Sequence, residues 1–353
     1  MDLQIKRIRS KMIEENLDGF LVSSPANITY LTKYSSRDSY YLVSAKNNFY
    51  FTDSRYTDEA KNALKNSASI IKTNGSVFKI ISDLSLKSRL QRIAFEERHL
   101  PFAEYQQIKK GLGRKAKLIP THSLIEQLRC LKDPQEVTKI RKAIKITAKA
   151  LDLAKKFISA GKKEIEVVAE LERYIRYLGA SNSAFDIIVA SGPNSSFPHH
   201  ISGNRKIQRG EPVLIDIGVE FSGYKSDLTR VFFLGRISSS VSKVYDIVSS
   251  AQREAIKRIR PQEKISKIDQ AARQYISDKG YGGFFSHNLG HGIGLEIHEE
   301  PQISSKNNEL LSPSMVFTIE PGIYLANKFG IRIEDVVLVT KNGCEVLSGA
   351  VHK

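Results

Sequence analysis

Apolar positions along this chain change their period twice. Over residues 1 to about 122, short apolar runs alternate with stretches of helical spacing, beginning with a helix from Leu3 to Glu15 and a strand Gly19-Phe-Leu-Val22. Such alternation predicts a small α/β domain. A basic loop, Gly111-Leu-Gly-Arg-Lys-Ala-Lys117, precedes its last apolar strand at Leu118-Ile119. From Leu124 the spacing lengthens into a long helix that starts behind Asp133 as cap, with Pro134 in its first turn, and runs towards Ile158. Further helices are predicted for Glu164 to Leu178, closed by Gly179, for Ser240 to Ile259 and for Ile265 to Lys279, and the remainder is β-rich. The change of pattern places a domain junction near residues 120 to 133, dividing the chain into 1–122 and 123–353.

Two β-rich stretches carry acids at unusual positions. Asp216 lies in Val213-Leu-Ile-Asp-Ile-Gly218 and Asp227 in Tyr224-Lys-Ser-Asp-Leu-Thr-Arg-Val-Phe-Phe-Leu234, which read as a hairpin. A turn centred on Phe221 and Ser222 would set the two acids directly opposite, with Cβ atoms roughly 5 Å apart. Glu320 in Val316-Phe-Thr-Ile-Glu320 and Glu334 in Gly330-Ile-Arg-Ile-Glu334 repeat the arrangement around Ala326-Asn327-Lys328. A single acid in a strand usually faces solvent or forms a local hydrogen bond. Four gathered in a dry site would raise one another's pKa rather than ionise, and divalent cations are the simplest compensation.

An imidazole completes the set. His291 sits in Ser286-His-Asn-Leu-Gly-His-Gly-Ile-Gly-Leu-Glu-Ile-His-Glu-Glu-Pro301, together with His287 and His298. His287 and His291 have the i, i+4 spacing of a helical zinc motif, but Gly290, Gly292 and Gly294 argue against a helix and for close backbone approach to an ion or substrate. Asp216, Asp227, His291, Glu320 and Glu334 then balance the charge of two divalent ions with an oxygen and nitrogen shell suited to Mn, Co, Fe or Zn.

Composition changes this picture little. The chain has 353 residues, enough for two domains with real cores. Its two cysteines, Cys130 and Cys344, suit a reducing compartment. No signal-peptide pattern and no apolar run of about 18 residues occurs, so a soluble, cytoplasmic protein without a membrane partner is expected. The net charge of +16 raises the question of nucleic acid. However, Arg253, Lys257, Arg258 and Arg260 fall on an amphipathic helical pattern without base-stacking aromatics, and no specific nucleic-acid partner is expected.

These segments, with Phe197-Pro-His-His200, Ser226-Asp-Leu-Thr-Arg230, Gly290-His-Gly-Ile-Gly294, Thr318-Ile-Glu-Pro-Gly322 and Gly330-Ile-Arg-Ile-Glu-Asp335, resemble the proline-specific pita-bread metallopeptidases, aminopeptidase P and prolidase. Ser24-Pro-Ala-Asn-Ile-Thr-Tyr-Leu-Thr32 and Phe51-Thr-Asp-Ser-Arg-Tyr56 are similar to the creatinase-type N-terminal domain, so the resemblance covers nearly the whole chain. It implies an α/β N-terminal domain and an α+β pita-bread catalytic domain with pseudo-twofold symmetry. It also implies a homodimer and two metal ions, Mn first, on the five ligands. Glu320 would serve as general base, with His199, His287, His298 and Arg332 at the substrate or the tetrahedral intermediate. His200 could exchange roles with His199, and Arg332 could instead clamp a carboxylate.

The implied activity is release of an N-terminal residue before proline from a peptide, with an X-Pro dipeptidase as the alternative and a non-catalytic binding scaffold as a distant one. Creatinases lose the metal ligands, and methionine aminopeptidases lack an N-terminal domain of this kind. The chain departs from its relatives at Lys33-Tyr-Ser-Ser-Arg-Asp38, where Arg37 or Asp38 could tune substrate length, and at Pro261-Gln262, read as a turn variation.

Overall fold

The computed structural model describes residues 3–65, 67–349 and 351. Two compact units result, Met1–Arg129 and Cys130–Lys353, and the helix Leu124–Cys130 ends at the boundary between them.

In the first unit a six-stranded mixed sheet runs in the order Ser69–Lys72, Asn48–Thr52, Ser39–Ser44, Gly19–Val22, Arg92–Glu96, Lys117–Thr121. Gly19–Val22 is buried at every position, as a central strand covered on both faces must be. That is why its sequence reads as an unbroken apolar run rather than an alternation. The opening helix spans Leu3–Glu14 and buries Ile5, Ile8 and Met12.

The second unit is built from two helix pairs and short sheets. Pro134–Phe157 and Glu164–Tyr177 share one apolar core, with Ile140, Ile144, Leu151, Val167 and Leu171 at its centre. Ser239–Lys257 and Ile265–Asp278 share another, with Val244, Val248, Ile268 and Ala272. Against them lie a three-stranded sheet of Leu228–Phe233, Pro212–Ile217 and Ile188–Ser191, and a five-stranded sheet ordered Glu299–Ile303, Gly290–Gly292, Val316–Ile319, Asp335–Val339, Cys344–Val346. Among the described residues no helix is long and apolar enough to cross a membrane.

The long helix begins where the sequence places it. Asp133 accepts from the backbone N–H groups of Gln135 and Glu136, each at 2.9 Å, while Glu136 accepts from the Asp133 N–H at 2.8 Å. This reciprocal cap satisfies donors that the first turn would otherwise leave open. Asp133→Ala should cost about 1 kcal/mol, read as a lower midpoint in thermal unfolding; an unchanged midpoint would show the cap to be dispensable.

One expected register is corrected. The first hairpin turns at Ser222-Gly223, both with positive φ (50° and 81°), and not at Phe221-Ser222. Two left-handed residues make the tight loop whose twist matches the strands. Phe221 then pairs with Tyr224, and Asp216 lies opposite Thr229 rather than Asp227. The slip is an even number of residues, so Asp227 keeps the same face and becomes a diagonal neighbour of Asp216. In the second hairpin Ile319 pairs with Asp335 and Gly322 with Arg332, so the same register sets Glu320 against Glu334, as expected.

Candidate metal centre

Four of the five predicted ligands sit at an end, bulge or break of a strand, while Asp216 lies within Pro212–Ile217, paired with both Thr229 and Ile188. Asp227 precedes Leu228–Phe233, and the ladder of Gly290–Gly292 shifts register between His291 and Gly292, a bulge at the ligand position itself. Glu320 and Glu334 lie where their hairpin is interrupted. The Glu320 N–H turns away to the Leu289 carbonyl at 2.8 Å and that of Glu334 to the Thr229 carbonyl at 3.2 Å. These bonds tie the hairpin to both neighbouring strands and bring the four segments to one point.

Asp227, His291 and Glu334 form the tightest group, each offering a ligand atom within 4.8 Å of the others. Glu320 joins through His291, whose Nε2 is 3.4 Å from Glu320 Oε1 and 3.5 Å from Asp227 Oδ2. Asp216 is held from behind by Arg332, Nη2 to Oδ2 at 2.7 Å. Asp216 Oδ1 and Glu334 Oε1 are buried without a hydrogen-bond partner.

Burial is the largest cause that pushes the Asp227 and Glu334 carboxyls well above their usual range; neighbouring carboxylates add to it, Glu334 first at Asp227 and Glu320 first at Glu334. Burial raises Glu320 to about 7, against the opposing pull of Arg332. The imidazole sharpens the argument. His291 Nδ1 lies 3.1 Å from the Gly292 carbonyl, which can only accept, so Nδ1 carries the hydrogen and Nε2 turns a lone pair towards two carboxylates. Burial pulls this ring down to about 4, so it is neutral near pH 7. Lone pairs facing carboxylates repel. Buried acceptors that outnumber the donors around them, with Asp216 Oδ1 and Glu334 Oε1 orphaned, fit divalent cations.

Gly290 makes this convergence sterically feasible. A Cβ there would lie 2.0 Å from the Thr318 carbonyl oxygen, so only glycine lets the His291 strand approach so closely. Thr318 Oγ1 then accepts from the His291 N–H and donates to Glu320 Oε1, both at 3.1 Å. Gly290→Ala is expected to destabilise by roughly 3 kcal/mol and to weaken metal retention, measured by thermal unfolding and by metal content after dialysis. A variant matching the parent in both would show that the two strands can move apart.

The remaining histidines divide. His298 is exposed, its ring 4.3 Å from that of His291. His199 is exposed and close enough to act electrostatically on both His287 and His298. His287 has both ring nitrogens engaged, Nδ1 with the Asn288 carbonyl at 2.7 Å and Nε2 with the Tyr324 hydroxyl at 3.0 Å. His200 instead lies 2.9 Å from buried Glu164.

Arg332 takes the clamp geometry. It is 4% exposed and donates to Thr229 Oγ1, the Pro198 carbonyl, the Tyr324 hydroxyl and Asp216. Tyr324, Thr229 and Thr318 carry this web and were not foreseen, since a tyrosine or threonine in an apolar strand reads as ordinary sheet composition.

A family model described as metallopeptidase family M24 matches residues 138–341, and one described as the creatinase/prolidase N-terminal domain matches residues 4–131. A protein named Xaa-Pro dipeptidase from Pyrococcus horikoshii is 33% identical over 349 residues, covering 99% of this chain and 97% of that protein. The structure of an Xaa-Pro dipeptidase from Bacillus anthracis superposes with a TM-score of 0.95 at 35% identity, over 99% of this chain and 98% of the other. That of an X-Pro aminopeptidase from Thermotoga maritima gives 0.88 at 37% identity, over 94% and 96%.

Proposed function

Because the chain belongs to metallopeptidase family M24 and carries the creatinase/prolidase N-terminal domain, we propose that it is a metal-dependent exopeptidase cleaving the bond before proline, with X-Pro dipeptides as its preferred substrates. The observation that carries this choice is likeness over the full length to proteins named Xaa-Pro dipeptidase, with a TM-score of 0.95 for one of them. The aminopeptidase reading favoured from sequence becomes the second, supported by the Thermotoga maritima structure. A tertiary X-Pro amide has no N–H, so a peptidase that handles it must grip other features of the substrate.

Asp216, Asp227, His291, Glu320 and Glu334 would hold two divalent ions, Mn first, with Co, Zn or Fe also compatible. Such a pair, when bound, supplies an acidified water and a polarised carbonyl. Glu320, oriented by the Thr318 hydroxyl, accepts the proton of the attacking water. His298, exposed beside His291, and His199, exposed and acting on His298, face the substrate and donate to the developing oxyanion. His287 works one step back: its Nε2 holds the Tyr324 hydroxyl, and through it Arg332 and Asp216. A homodimer completes the reading; light scattering should give about twice the 39.7 kDa chain mass.

The deciding experiment compares Ala-Pro with Ala-Pro-Ala-Ala on Mn-loaded protein. Cleavage of the dipeptide at least about tenfold faster, roughly 1.4 kcal/mol of discrimination, supports the dipeptidase. Equal or faster cleavage of the longer peptide returns the aminopeptidase. Cleavage of neither by metal-loaded protein would leave the scaffold.

A further inference from the structure

Glu164 is a fully buried carboxylate, with its side chain 0% exposed, and the metal centre makes no use of it. It opens the helix Glu164–Tyr177 and reaches across to three separate segments. Oε1 accepts from the Ser191 N–H at 2.7 Å and the Ser191 hydroxyl at 2.8 Å, at the end of the strand Ile188–Ser191. The Asn194 amide donates to both oxygens, at 3.1 and 3.0 Å, from the turn Gly192–Ser196. His200 Nε2 lies 2.9 Å from Oε2, and the Gly203 N–H points to the same atom at 3.4 Å. A carboxylate accepts only, so His200 Nε2 carries a hydrogen and donates.

The loop between Phe197 and Ile201 is pinned from below at alternate residues. Arg332 Nη1 donates to the Pro198 carbonyl at 3.2 Å, and Glu164 takes the His200 ring. Between and beside these anchors Phe197, His199 and Ile201 are exposed. One anchor is thus the arginine that also grips Asp216, and the other is a buried acid with no contact to the centre. His199, held between them, is the residue that acts on His287 and His298.

We propose that Glu164 and His200 are positioning residues for peptide hydrolysis: their buried hydrogen bond fixes the loop 197–201 so that His199 faces the substrate. The proposal rests on the reading of this site as an X-Pro peptidase. Every hydrogen bond that Glu164 receives comes from the strand end, turn and loop on either side of His199, between Ser191 and Gly203. Losing one pin frees the loop at the residue next to His199, and displacement of a substrate-contacting group by about 1 Å is enough to cost up to 10²-fold in rate.

The test uses full-length, Mn-loaded protein and X-Pro dipeptide. His200→Ala should lower kcat/KM by roughly 10- to 100-fold, with the same division between kcat and KM as His199→Ala. His200→Gln, whose amide nitrogen replaces Nε2, should recover most of that loss. In the His199→Ala background His200→Ala should add less than about twofold, because residues acting through one group are not additive. Hydrogen exchange, which needs no activity, should show faster exchange confined to residues 197–203 in His200→Ala. Parental kinetics in His200→Ala, multiplicative losses in the double variant, failure of His200→Gln to recover activity, or unchanged exchange would each overturn the proposal. If the parent protein hydrolyses no X-Pro peptide, the function reading fails, while the exchange result still decides whether the pair fixes the loop.

Discussion

Asp227→Asn is expected to lower kcat/KM by roughly 10³-fold or more, and yet to make the chelated protein more stable. Asp227 belongs to the tightest candidate ligand group, and two bound cations would together contribute several kcal/mol to an amide-hydrolysing transition state. Asparagine keeps the shape but offers a neutral oxygen, so one ion is held weakly or lost. Without cations the balance reverses. Asp227 is buried among Glu334, Asp216 and Glu320, and removing its charge removes repulsion that Arg332 offsets only in part. Metal analysis and thermal unfolding with and without chelator read both halves. Full metal occupancy with parental activity, or a chelated variant less stable than the chelated parent, would contradict the assignment of Asp227 as a ligand.

Chelated parent protein should also lose stability as pH rises above about 6.5, where most proteins are flat. Asp227, Glu334 and Glu320 have folded-state pKa values raised above the unfolded ones. The stability they contribute is complete below the ordinary carboxylate range and is lost as pH climbs through the folded values, about 7 for Glu320. His287 and His291 act in the other direction on the acid side. Burial pulls both to about 4, so the unfolded chain takes up their protons first and the fold weakens as pH falls below 6.5. Just above 6.5 the unfolded rings are still giving up their last protons and offset part of the carboxylate loss; from about pH 7.5 both rings are neutral in both states and the carboxylates act alone. Between about pH 6.5 and 8.5 Glu320 by itself should account for a loss on the order of 1 kcal/mol, with more from Asp227 and Glu334. Saturating Mn should abolish the decline, because metal ligands must be deprotonated to bind. A chelated protein whose stability is constant or rises over that interval would remove the case for crowded, cation-seeking carboxylates.

Much of this was legible in the chain because the signals were local. The cap at Asp133, the helix bounds at Leu3, Glu164 and Ile265, and the refusal of the glycine-rich segment around His291 to be helical all follow from single residues acting on nearby backbone. The pairing of Glu320 with Glu334 was equally local, set by a loop short enough to count across. The first hairpin failed by one step for the same kind of reason: Gly223 was the residue able to take positive φ, and the turn belongs on it.

By itself, then, the sequence determined which acids and which imidazole could serve one centre, since their types and hairpin spacing have no simpler explanation than bound cations. Only the tertiary structure decided how the surrounding groups divide their work. Whether Arg332 grips Asp216 or a substrate, whether His287 is free or bound to Tyr324, and whether His199 or His200 faces outward depends on strands far apart in sequence. A hydrogen bond across more than a hundred residues leaves no periodicity along the chain. It exists only once the packed cores on either side have fixed the distance between donor and acceptor.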